Sequence, residues 1–111
     1  MCSSDLMKVA RCGGLWHASR IIEGMRRDGQ TLFASGLTDP ELSLAASIHL
    51  FAAAGLDVPA ALNGPQYLAE RGTSDPAFRA VADRVTVPTA PGLGITPDPV
   101  ALQSLTTVAN A

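Results

Sequence analysis

Leu6-Met7-Lys8-Val9-Ala10 runs directly into Arg11-Cys12-Gly13-Gly14, and then into Leu15-Trp16-His17-Ala18-Ser19-Arg20-Ile21-Ile22. This succession decides the fold class. A short apolar run bounded by a glycine pair reads as a buried strand and its loop. The segment after the glycines changes period. Leu15, Ala18, Ile21, Ile22 and Met25 recur at three- and four-residue spacing and predict a helix over residues 15–28, with Gly29 as its stop.

The same alternation continues outward. Residues 31–37 predict a second strand. Thr38-Asp39-Pro40-Glu41 opens a second helix, with Thr38 or Asp39 as its cap, Pro40 in the first turn and Glu41 complementing the helix dipole. That helix, over residues 41–54, is almost wholly apolar and is expected to be deeply buried; Gly55 stops it. A third strand is expected over residues 58–62, and Asn63-Gly64-Pro65 reads as a turn. Strand follows strand at about 25 residues, the spacing of βαβ units in a parallel sheet. Beyond Tyr67 the pattern changes. Residues 78–81 and 85–87 predict a hairpin around Asp83-Arg84. Pro88-Thr89-Ala90-Pro91-Gly92-Leu93-Gly94 is too rich in proline and glycine for regular structure, and a short helix is expected near residues 99–108.

The chain of 111 residues is 47% hydrophobic, 16% charged and carries a formal net charge of -2. With no cluster of Lys and Arg, nucleic acid is not an expected partner. No run of 18 apolar residues is present, so no membrane span is expected. Two cysteines, Cys2 and Cys12, in neither a CxxC pair nor a disulfide framework, point to a reduced, cytoplasmic setting. Met1-Cys2-Ser3-Ser4-Asp5-Leu6 is polar and lacks the basic and apolar regions of a signal peptide. It joins an apolar strand with no turn between, and residues 1–6 are expected to be a non-native leader. Three strands and two buried helices are also too little for a (β/α)8 barrel, which takes about 250 residues. The sequence therefore reads as part of a larger fold.

Four blocks resemble the mandelate racemase/muconate-lactonizing enzyme family of the enolase superfamily. Lys8-Val9-Ala10-Arg11-Cys12-Gly13-Gly14 is similar to the family's sixth-strand motif: a lysine, two apolar residues, a basic residue, any residue and Gly-Gly. Thr38-Asp39-Pro40-Glu41-Leu42-Ser43-Leu44-Ala45-Ala46-Ser47 resembles the block that enters the seventh helix. Ala61-Leu62-Asn63-Gly64-Pro65 resembles the last barrel strand, and Val87-Pro88 with Pro91-Gly92-Leu93-Gly94 the C-terminal signature. The blocks stand in the family's order over residues 7–98.

The resemblance implies an α/β fold, the C-terminal portion (about strands six to eight) of a (β/α)7β TIM-type barrel, incomplete here. Residues 7–68 are expected to form the barrel part. Residues 69–111 are the hairpin and tail that run back towards a capping domain. The family removes the proton alpha to a carboxylate and holds the enediolate with a divalent metal, usually magnesium, because that proton is a very weak acid and the developing oxyanion needs preorganised positive charge. By resemblance, Lys8 is the catalytic residue, facing the substrate opposite a second-strand Lys-x-Lys. It stabilises the enediolate as an ammonium or exchanges a proton as a neutral amine. Asn63 and Asp39 are expected to bind substrate; their local readings are a turn residue and a helix cap.

The family's dipeptide epimerases carry acids at the positions of Ala61 and Asn63, and its muconate cycloisomerases a glutamate at Ala61. The absence of these acids argues against dipeptide epimerisation and against muconate cycloisomerisation. The metal carboxylates and the Lys-x-Lys lie on strands upstream of Lys8, so no metal ligand is expected in this chain and magnesium belongs to the parent enzyme. That parent takes a small carboxylate, acts as a homo-oligomer, and reacts as a cycloisomerase, racemase/epimerase or dehydratase; the truncated chain alone is expected to be inactive. His17 and His49 have no Asp, Glu or Cys at ligand spacing and read as structural. Ser43 and Ser47 sit in no nucleophile elbow, and Gly13-Gly14 is followed by no Lys-Ser/Thr of a phosphate loop. The contrasting expectation is a small non-enzymatic α/β module that self-associates through exposed apolar faces.

Overall fold

A computed structural model of the chain describes residues 4–64, 67, 81–100 and 103. Their regular elements are β1 (Ser4–Met7), a 3-10 turn (Val9–Arg11), α1 (Leu15–Arg27), β2 (Thr31–Thr38), α2 (Glu41–Ala54) and β3 (Ala61–Asn63). The strands form a parallel sheet in the order β1-β2-β3. This is the α/β alternation expected from the sequence, at the resolution of elements.

The boundaries correct the reading in three places. The first strand spans Ser4–Met7 rather than residues 6–10, so Ser4 to Leu6, assigned to a leader, pair with Thr31 to Phe33. After Met7 the chain curls: the amides of Arg11 and Cys12 donate to the carbonyls of Lys8 and Val9 at 2.9 and 3.0 Å. The third strand begins at Ala61, not residue 58; Pro59 brings no N–H to a ladder. Neither Thr38 nor Asp39 caps α2. Pro40 occupies the cap position without a side-chain bond, because the Asp39 carboxylate is engaged elsewhere.

α1 and α2 share one apolar cluster with one face of the sheet. Met7, Ala34, Ala18, Ile22, Phe51 and Ala54 are buried in it, and Leu32 and Leu62 pack against it. Of the predicted inner stripe of α1, Ala18, Ile22 and Met25 are buried, whereas Leu15 and Ile21 are exposed. Leu15 lies in the first turn, before the helix settles on the sheet, and Ile21 is about 100° round the helix from Ile22. α1 ends in a Schellman turn: Gly29 adopts φ +68, and the amides of Gly29 and Gln30 donate to Arg26 and Met25 carbonyls at 3.1 and 2.9 Å.

Side chains of a strand alternate between faces. Leu6, Phe33 and Ala61 therefore lie on the face opposite the helices, where Leu6 is 52% and Phe33 42% exposed. Parallel sheets are normally covered on both sides; among the described residues this one is covered on one. The predicted hairpin is seen as a tight turn. Val81 and Arg84 exchange backbone bonds of 2.8 and 3.1 Å, with Ala82 and Asp83 at φ 48 and 62 between them. The segment before it and most of the expected C-terminal helix fall outside the described residues. The glycine-proline segment is irregular as expected and is held to α2 by His49, whose Nε2–H donates to the Leu93 carbonyl at 3.1 Å.

Candidate functional site

The C-terminal ends of the three strands bring the sequence-predicted residues towards one edge. Lys8 follows β1 directly and is half-buried in extended conformation, with φ -124 and ψ 112. Met7 pairs with Ala34, so Lys8 lies next to Ser35 in sequence register, and Ser35 pairs with Ala61. Alternation puts Lys8 on the face of Leu6 and Phe33, away from the helices. Its backbone carbonyl is doubly engaged, accepting from the Arg11 amide and from the Cys12 thiol at 3.2 Å. The turn after Lys8 is thereby fixed, while its side chain lies outside these bonds. Cys12 is a free thiol.

Asn63 ends β3 and is exposed. Its partner across the ladder is Thr38, also exposed. Two residues beyond the Ser35–Ala61 pair, a regular ladder would set Leu37 opposite Asn63. The register shifts between Ser35 and Thr38, so β2 carries one extra residue here, a bulge.

Asp39 is at the centre of this irregularity. It is 5% exposed. One carboxylate oxygen accepts from the Leu37 amide at 3.1 Å and the other from the Ser43 hydroxyl at 3.2 Å. The Asp39 amide in turn donates to the Asn63 carbonyl at 3.4 Å. A Cβ on Gly36 would stand 2.5 Å from the Asp39 carboxylate, and one on Gly64 would collide with the Asp39 carbonyl. Both glycines mark close approach of backbone to this residue. Of the three expected site residues, Lys8 and Asn63 are thus on the open side of the strand ends, whereas Asp39 is packed beneath them.

The sequence offered Thr38 only as a cap candidate and Gly64 only as a turn residue, and it gave no role to Gly36. The available signal was Gly36: a glycine inside a strand pattern points to a bulge or a close contact. His17 and His49 each donate to a backbone carbonyl, of Gly13 and Leu93, since a carbonyl only accepts. Among the described residues no three of His, Cys, Asp and Glu gather as metal ligands would. An open groove on the helix side, lined by Ile48, Phe51, Val58 and Leu62, brings few polar groups together. No helix among the described residues is long and apolar enough to cross a membrane.

A parallel sheet backed by helices, with a lysine and paired polar side chains at the C-terminal ends of its strands, defines a small α/β unit, and that edge is where such folds commonly bind ligands. The chain belongs to the enolase superfamily: residues 4–101 match the family described as Enolase C-terminal domain-like. An enolase from Mycobacterium smegmatis complexed with formate and acetate is 27% identical, with TM-score 0.83, covering 97% of this chain and 26% of its own. An enolase from Thermobispora bispora complexed with magnesium and formate is also 27% identical, with TM-score 0.82, covering 97% and 26%. A muconate cycloisomerase from Azorhizobium caulinodans is 28% identical, with TM-score 0.75, covering 89% and 28%. This chain spans little more than a quarter of the length of these solved chains. No curated protein matches it.

Proposed function

We propose that this chain contributes the C-terminal strands of an enolase-superfamily enzyme that removes the proton alpha to a carboxylate, and that the chain alone is inactive. The reaction type is cycloisomerase, racemase/epimerase or dehydratase. The observation that carries this is the place of Lys8: at the C-terminal end of β1, on the sheet face that the helices leave open. An ammonium there donates hydrogen bonds to an oxyanion that develops on the substrate carboxylate. As a neutral amine the same group takes or returns the alpha proton. Asn63, exposed at the end of β3, binds the substrate directly, and Asp39 supports it from below. The acidic ligands found in small-molecule complexes of the relatives, formate and acetate, fit a substrate that is a small carboxylate.

Magnesium accompanies formate in the Thermobispora relative. The described residues of this chain do not fit a magnesium site, since no three acidic, His or Cys side chains come together. We assign magnesium to the complete enzyme and route no step of this chain through it. The complete enzyme is taken to be a cytoplasmic homo-oligomer. Residues 1–6 are proposed as a leader whose last residues complete β1, and residues 69–111 as the segment that runs towards a capping domain.

Proton exchange tests the proposal. The purified chain is incubated in D₂O with Mg²⁺ and a panel of carboxylic acids, and loss of the alpha-proton signal is followed by NMR. No exchange is expected. A polypeptide extended upstream through a Lys-x-Lys and three spaced carboxylates should exchange, and Lys8→Ala should slow it by about 100-fold or more. Metal-dependent exchange by the chain alone overturns its inactivity; an extended enzyme indifferent to Lys8→Ala overturns the role of Lys8.

A second reading, the self-associating module, draws on one observation: Leu6 and Phe33 are ladder partners, both exposed. Light scattering after size exclusion separates the two. A monodisperse, stable oligomer favours the module, and an aggregating chain favours the larger enzyme.

A further inference from the structure

Pro88-Thr89-Ala90-Pro91-Gly92-Leu93-Gly94 is unsuited to a ladder, since its prolines bring no N–H and its glycines turn the chain through φ 70 and 71. It folds on itself instead. The Gly94 amide donates to the Pro91 carbonyl at 3.3 Å, and a Cβ on Gly94 would collide with Pro88. At the other end of the same stretch, Val81 and Arg84 close their tight turn. Residues 81–94 are thus bonded within themselves at both ends. Between those ends, the half-buried Val85 and Val87 wall a groove of about 310 Å³ together with Ile48, Phe51 and Leu62. A groove of that size leaves the valines without neighbours on one side, so they make only part of the contacts of a packed core. Among the described residues, one hydrogen bond ties residues 81–94 to the rest of the fold: His49 on α2 donates from Nε2–H to the Leu93 carbonyl at 3.1 Å.

We infer that residues 81–94 are a strap that opens as one unit, and that His49 is the latch that holds it to α2. Opening breaks one hydrogen bond and withdraws two half-buried valines. Unfolding the body of the chain also disperses the cluster of Met7, Ala18, Ile22, Ala34 and Phe51 and breaks two ladders. The smaller disruption has the smaller free energy, so the strap opens while the sheet stays folded. Its stiffness favours movement as a body. Proline fixes φ, and the close approach of Gly94 to Pro88 leaves little room to bend between them. α2 is the fixed side of the latch, since His49 lies inside the helix between buried Ile48 and Phe51. A backbone ladder zips over several residues, whereas this one side-chain bond is made or broken alone. Neither strap nor latch depends on the chemistry proposed for Lys8.

Limited proteolysis of the chain tests this. Chymotrypsin cuts after leucine and phenylalanine by attacking the carbonyl of that residue, and Leu93 lends the same carbonyl to His49. Cleavage after Leu93 therefore reports the open strap. Cleavage after Phe51, inside α2 and 4% exposed, reports unfolding of the body. Fragments are timed by mass spectrometry at several urea concentrations. In the wild type Leu93 should be cut faster than Phe51, at a rate that rises less with urea because less surface is exposed. His49→Ala should speed cleavage after Leu93 about tenfold, the worth of one hydrogen bond. His49→Gln, which keeps an N–H donor at a similar reach, should restore the wild-type rate. Equal rates and equal urea dependence at Leu93 and Phe51 in the wild type overturn the strap, a result that needs no variant to fold. Cleavage after Leu93 that is unchanged in His49→Ala, or as fast in His49→Gln as in His49→Ala, overturns the latch.

Discussion

The two ladders of the sheet are built in different ways. β1 and β2 pair over four consecutive residues, from Ser4 with Thr31 to Met7 with Ala34, and the helix-facing members pass into the core. β2 and β3 pair at Ser35–Ala61 and Thr38–Asn63 with a shift between. In the first ladder the backbone satisfies itself, and side chains are free to bury apolar surface. In the second, a side chain has to satisfy the backbone, and the residues released from the regular pattern are polar and exposed. The contrast teaches that the irregular end is held by polar contacts of one residue, Asp39, whereas the regular one is held by area.

Four substitutions sharpen or break that contrast. Phe51→Ala removes the largest aromatic group under the regular region, where Phe51 is 4% exposed. A loss of about 4 kcal/mol is expected from transfer and cavity together, read from the urea midpoint. Gly64→Ala should follow at about 3 kcal/mol, because its Cβ meets Asp39 backbone atoms that cannot rotate aside. Asp39→Ala should cost about 2 kcal/mol, since it strips the Leu37 amide of its acceptor in a partly buried place. Its damage should be local: amide hydrogen exchange should accelerate at Leu37 and Asn63 more than at Met7 or Ala34. Uniform acceleration across the sheet would show that the two ladders are one cooperative unit and that the distinction fails.

The regular half was the more legible in the sequence. α2 keeps the predicted bounds of residues 41 and 54, since a helix start with Pro40 and a stop at Gly55 are local signals. β1 was misplaced because short apolar runs do not distinguish a strand from a tight turn. Lys8-Val9-Ala10 looks continuous with Leu6-Met7, but the carbonyls of Lys8 and Val9 accept from the amides of Arg11 and Cys12 and close a 3-10 turn. Family membership was legible from four motifs, and residues 4–101 match it. Lys8 and Asn63 were named through that resemblance, not through periodicity. The place of Thr38 opposite Asn63 was not legible at all. Its partner depends on a bulge, and the bulge depends on Asp39, Gly36 and Gly64 meeting from one strand and two loops; no local pattern encodes that meeting beyond the single glycine in β2.

The smallest expected effect is the sharpest test of what the irregular ladder is for. Thr38 ends β2, is exposed, and sits opposite Asn63. Valine has the same branched shape and a comparable strand preference, so Thr38→Val should change stability by no more than about 0.5 kcal/mol. The urea midpoint should barely move, although Asp39→Ala, one residue away, should move it clearly. A carboxylate that holds a bulge is needed for folding; a hydroxyl that the bulge turns outward is not. Were Thr38→Val to cost as much as Asp39→Ala, the hydroxyl would belong to the same structural network. The bulge would then be held by the Thr38 hydroxyl as well as by the Asp39 carboxylate.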